Sequence, residues 1–193
     1  PAEGEGGSAV NVTKIEALSG GAVWLLTETE GAIRIDTNSE DYSLTSQWYS
    51  AQSGQFSATR VFGVYEDLLG NEWILSDNGL GMLTAGQTTP TSYFVDAAER
   101  EKKGGQAFYS CLEYNSEIYF GSDNGRVWCY QKENGQFQLQ NLPASSRIVS
   151  INSVEGNELI FTTAKDGFFS YQPKTKAIEH FPAFQMHLFT RFM

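Results

Sequence analysis

Reactive side chains are few in this sequence, and their spacing narrows the chemistry at once. The thiols are Cys111 and Cys129 and the imidazoles are His180 and His187. None of the four falls at zinc-ligand spacing, so no metal site is expected. A serine nucleophile needs a histidine base and a sharp turn of the G-x-S-x-G kind, and neither histidine accompanies one. Glu66-Asp67 is the one adjacent acidic pair set within a recurring motif. Glycoside hydrolysis places its two carboxyls on either side of a sugar ring, which neighbours in one turn cannot do. The pair reads as turn-stabilising. No catalytic residue is assigned, and no cofactor is expected.

Binding chemistry is better supplied. Flat rings take the C–H faces of sugars, while polar neighbours take their hydroxyls. Trp48, Tyr49, Tyr93, Phe94 and Tyr114, with Arg60 and Arg100 as polar partners, are the candidate ligand-binding residues. An oligosaccharide is the ligand they suit. The competing reading, which the sequence alone favours, packs the same rings between structural elements. Trp24 and Trp73 read as core. Thirteen basic against 23 acidic residues, a net charge of −10, exclude a nucleic-acid partner, which needs clustered Lys and Arg.

The elements that must position these residues come from an internal repeat. Four segments align: KIEALSGGAVWLLTETEGAIRI, FGVYEDLLGNEWILSDNGLGML, YSCLEYNSEIYFGSDNGRVWCY and VSINSVEGNELIFTTAKDGFFSY. Each opens a strand on an apolar anchor, at Ile15, Val64, Cys111 and Ile151. A polar turn follows, then a strand opening on Trp24, Trp73, Tyr119 or Ile160. Three residues on stands a hydroxyl, at Thr27, Ser76, Ser122 and Thr163. A glycine comes next, at Gly31, Gly79, Gly125 and Gly167, and successive glycines lie 48, 46 and 42 residues apart. SDNG and AKDG are hairpin-turn sequences, with Asp77, Asp123 and Asp166 as turn residues. The hydroxyls are expected to bond nearby backbone. A fourth strand fits after each glycine strand, as in QFQLQNL with Phe137, Leu139 and Leu142.

Four antiparallel strands per ~45 residues make one propeller blade. The fold class is therefore all-β, a β-propeller of about four four-stranded blades. The chain divides into a flexible tail over 1–9 and a propeller segment over 10–193, with repeats near 10–58, 59–105, 106–146 and 147–193. The DAAEREKK run at Asp96–Lys103 reads as a loop insert. Cys111 and Cys129 fall on strands separated by a third, which favours two buried thiols over the alternative, a disulfide between them. No run approaches 18 apolar residues, and PAEGEGGSAV shows no secretory leader.

VFGVYEDLLGNEWILSDNGLGML resembles the two-component-regulator propeller repeat through Val61, Val64, Glu66, Asp67, Gly70, Trp73, Gly79 and Leu80, with Ser76 in place of Thr. The first copy is similar through Ile15, Gly20, Trp24, Thr27 and Gly31, but lacks the Glu-Asp pair. IYFGSDNGRVWCY looks equally like the repeat of quinoprotein-type propellers, and the fourth copy is degenerate in both patterns. The resemblance implies a non-catalytic sensory module from the periplasmic region of Bacteroidetes hybrid two-component systems. Such propellers bind glycan fragments and signal across the inner membrane to a histidine kinase. They are typically seven-bladed, so four copies imply an arc of a larger ring. Its partners would then be an oligosaccharide, the rest of the sensor chain, and a second copy paired through exposed blade edges. The rival readings are a protein-interaction scaffold and, less favoured, a propeller lyase or hydrolase.

Overall fold

The computed structural model describes residues 10–37, 46–95, 107–155 and 157–182. They form four antiparallel sheets of four strands each, and no helix among them is long and apolar enough to cross a membrane. The first sheet holds β1 (Val12–Ala17), β2 (Ala22–Thr27), β3 (Ala32–Asp36) and β4 (Ser46–Tyr49) in chain order. The second holds β5 (Val61–Glu66), β6 (Glu72–Ser76), β7 (Gly79–Leu83) and β8 (Thr91–Tyr93). The third holds β9 (Phe108–Tyr114), β10 (Glu117–Ser122), β11 (Arg126–Gln131) and β12 (Gln136–Asn141). The fourth holds β13 (Ile148–Val154), β14 (Glu158–Thr163), β15 (Phe168–Gln172) and β16 (Ala177–Phe181). Each sheet is a meander, and the sequence's fourth strand is present in every copy.

The chain divides into two compact units, residues 1–108 and 109–193. In the first, β5 packs against β2, and Trp24, Leu26, Tyr49, Phe56, Val61 and Ile74 share one core. In the second, β13 packs against β10 around Tyr119, Val127, Ile148, Phe161, Phe169 and Tyr171. Burying each such side chain contributes about 1.5–3 kcal/mol. This packing accounts for one departure from the repeat. Val64 and Ile151 are buried because their strands lie on a preceding sheet. Ile15 is 64% exposed, since β1 meets no such sheet among the described residues.

The repeat columns have local causes. Thr27 Oγ1 donates to the Gly31 carbonyl at 2.9 Å and accepts from the Glu30 N–H. Ser76 does the same with Gly79 and Asn78, and Thr163 with Gly167 and Asp166. Ser122 is fully buried at the matching place. All four glycines sit at φ between 68° and 94°. At Gly31 and Gly79 a Cβ would also meet the carbonyl oxygens of Tyr49 and Tyr93 at 2.2 and 2.4 Å. Nothing larger than glycine fits there. A feature the repeat did not announce is a bulge at the start of β1, β5 and β13, where the ladder register shifts across Thr13, Phe62 and Val149.

Cys111 and Cys129 lie on β9 and β11, with β10 between them, and form no disulfide with each other. Cys129 is buried and its thiol is pushed up to about 12 by burial and the neighbouring Glu117 carboxylate. Cys111 is half-buried rather than fully buried.

Candidate functional site

In a meander, the turns after the first and third strands lie at one end of the sheet. The turn after the second strand and the connector to the next sheet lie at the other. The hydroxyl–glycine turns and the connectors therefore share an end, and carboxylates tie them together. Asp77 accepts from the N–H groups of Thr59 and Arg60 at 3.2 Å and from the Thr59 hydroxyl. Asp166 accepts from the N–H groups and hydroxyls of Ser145 and Ser146. The serine hydroxyls, Ser146 first, hold the Asp166 carboxyl below its ordinary range. Asp123 takes the Tyr109 hydroxyl instead, at 3.1 Å. Asp77 and Asp166 thus clamp connectors, a larger role than turn chemistry alone.

Glu66 and Asp67 also part company. Asp67 is buried and accepts from the N–H groups of Leu69 and Asn71, the Asn71 amide and the Trp73 indole. Burial opposes its ionisation, yet these donors hold its pKa below the ordinary value. It stabilises its own turn, as expected. Glu66 reaches the neighbouring sheet instead, accepting from the Ser19 hydroxyl and N–H, each at 2.7 Å. Its side chain ties two sheets together.

The seven sequence candidates scatter. Trp48 is half-buried and lines a cleft of about 310 Å³ with Glu30, Ser50, Gln52 and Ser53. Tyr49, one residue on, is 1% exposed, with its ring 4.9 Å from that of Trp24 and its hydroxyl donated to the Thr88 carbonyl. Strand alternation sends it to the core, and no face remains for a ligand. Arg60 holds its guanidinium 5.3 Å over the Phe62 ring. Tyr93 stacks on buried Trp73 at 6.0 Å, and Phe94, at φ 62°, packs 5.4 Å from Phe108. Tyr114 donates to the Asn157 side chain. Arg100 lies outside the described residues. Of the six described, Trp48 is the ring that combines a cleft with polar neighbours.

A second, larger cleft escaped the sequence reading. It has a volume of about 440 Å³ and lies between Tyr109, Asp123, Arg147 and Lys165. A signal for it existed. Arg60 and Arg147 each immediately precede the first strand of a copy, and each carbonyl accepts the N–H that follows the column hydroxyl, Asp77 at 3.0 Å and Ala164 at 3.0 Å. Arg147 is the copy-four counterpart of a residue already singled out.

No family model and no curated protein matches this chain. Solved structures do. The extracellular domain of a one-component system from B. thetaiotaomicron matches with a TM-score of 0.72 at 16% identity, over 97% of this chain and 24% of that one. The extracellular domain of a second system from that organism, of the hybrid two-component kind, matches at 0.65 and 17%, over 90% and 22%. The WD40 repeats of RRP9 match at 0.66 and 10%, over 92% and 52%. The chain thus spans about a quarter of the length of the two Bacteroides structures. At these identities the likeness is one of fold: the chain is a run of four β-propeller blades.

Proposed function

We propose that this chain is a non-catalytic, extracytoplasmic sensory stretch of propeller whose ligand is an oligosaccharide. The observation that carries the reading is the Trp48 cleft, where a half-buried indole stands beside the Glu30 carboxylate and the Gln52 amide. Its volume falls in the range of about 300–1,000 Å³ that small-ligand sites occupy. The likeness to extracellular domains of signalling systems supports the sensory part. Against catalysis, the carboxylates of Glu66 and Asp67 are each filled by donors that hold the fold. On this reading the four blades are an arc of a larger ring, completed by the rest of a sensor chain or by a second copy. Light scattering reads the second case directly.

One observation favours the scaffold reading. Leu68 and Leu69 stand 88% and 68% exposed on a turn that Asp67 makes rigid, as a protein-docking turn would present them. A calorimetric screen of neutral oligosaccharides separates the alternatives, run beside an assay for polysaccharide turnover. Saturable binding without turnover is the expected result. Robust turnover would overturn the sensory reading, and an empty screen with a stable protein partner would favour the scaffold.

A further inference from the structure

The cleft of the second unit has a chemistry that the Trp48 cleft lacks. Its acidic groups are satisfied from within: Asp166 by Ser145 and Ser146, and Asp123 by the Tyr109 hydroxyl. Burial, then the Asp123 carboxylate, pushes the Tyr109 hydroxyl up from its ordinary pKa, so it stays protonated and adds no negative charge. The basic groups are not satisfied in this way. Among the described residues, no carboxylate lies within salt-bridge distance of Arg147 or Lys165. The Arg147 guanidinium is instead held 5.0 Å over the Tyr109 ring. The Tyr109 hydroxyl also draws on that guanidinium, and the N–H groups on its other edges can meet a carboxylate with two parallel hydrogen bonds.

We propose that the cleft between Tyr109, Arg147 and Lys165 binds the carboxylate of a small acidic ligand. Arg147 is the bidentate partner and Lys165 the second positive charge. The inference concerns a different cleft from the neutral-sugar reading above and stands independently of it. Two sources carry this chemistry, a uronic-acid residue of an oligosaccharide and a small free carboxylic acid.

The test is calorimetry on the intact chain with a galacturonate trimer, a neutral galactose trimer and succinate. The galacturonate trimer should bind at least about tenfold tighter than the neutral one, and added salt should weaken it. Arg147→Gln should weaken acid binding about tenfold and Lys165→Gln several-fold, with circular dichroism unchanged. Arg147→Gln should leave the affinity for the neutral trimer unaltered, which separates this cleft from the other. Succinate binding as tightly as the trimer supports the site with a free acid as ligand, and weaker succinate binding supports it with a uronate. Equal affinity for acidic and neutral trimers would overturn the proposal. So would wild-type affinity in Arg147→Gln, or no binding of either acid at about 10 mM.

Discussion

The two units carry the same repeat but join their sheets by different physics. In the first unit the joint is laced with carboxylates. Glu16 accepts from the Val64 N–H, and Glu66 from Ser19. Glu72 takes the Trp24 indole N–H at 2.7 Å and a two-pronged contact from the Arg34 guanidinium. In the second unit the joint is mainly aromatic. Tyr119, Phe161 and Tyr171 form a triangle with ring centroids 5.7–6.5 Å apart, and the hydrogen bonds across the joint are neutral: Ser110 to the Ile148 carbonyl, Tyr114 to Asn157 and Tyr171 to Gln140. The lesson is that a blade fixes its strands and turns locally, while its neighbour can be held by charge or by rings.

That contrast can be broken from either side. The largest expected effect is Phe161→Ala, which opens the aromatic triangle and should cost about 3–5 kcal/mol in urea unfolding. Glu72→Ala should cost about 2–4 kcal/mol, because it leaves a half-buried guanidinium and an indole N–H without their acceptor. A joint Arg34→Met, Glu72→Met change should recover much of that loss, because the pair's desolvation disappears with it. A loss in the double variant as large as in Glu72→Ala would mean that charge was not the issue.

Acid separates the units more gently. The Glu66 carboxyl, held down by the Ser19 hydroxyl, and Asp67, held by its turn donors, both have folded pKa values below their ordinary ones. Groups lowered in this way add stability above their unfolded pKa and lose it as pH falls through the folded value. The first unit carries two of them and the second has Asp166. Lowering the pH below about 4 should therefore loosen the first unit before the second, as read by backbone NMR. Simultaneous loss would count against the contrast. The smallest effect is Ser19→Ala, about 0.5–1 kcal/mol, since its carboxylate partner stands near solvent and keeps the Ser19 and Gly20 N–H groups.

How much of this was legible depended on sequence distance. The hydroxyl and glycine columns were readable because their partners lie three or four residues away. The role of Asp67 was readable for the same reason. The role of Glu66 was not, since Ser19 lies 47 residues earlier and belongs to another sheet. The burial of Tyr49, a ligand candidate by its type, was not legible because it depends on Trp24 and on the distant Thr88 carbonyl. The bulges at Thr13, Phe62 and Val149 leave no residue signature, as three unlike side chains fill them. Trp48, named by its type, lines one cleft, and Arg147, which lines the other, was not named, although Arg60 marked its column.

The central claim is that the connector end of these blades receives a ligand and does no chemistry on it. The most direct measurement takes the best neutral oligosaccharide from the screen and titrates it into wild type and Trp48→Ala. Loss of an indole stacking surface should weaken binding at least about tenfold with the fold intact. Equal affinity in the two proteins would contradict the assignment of the Trp48 cleft, and cleavage of the sugar during the titration would contradict the claim itself.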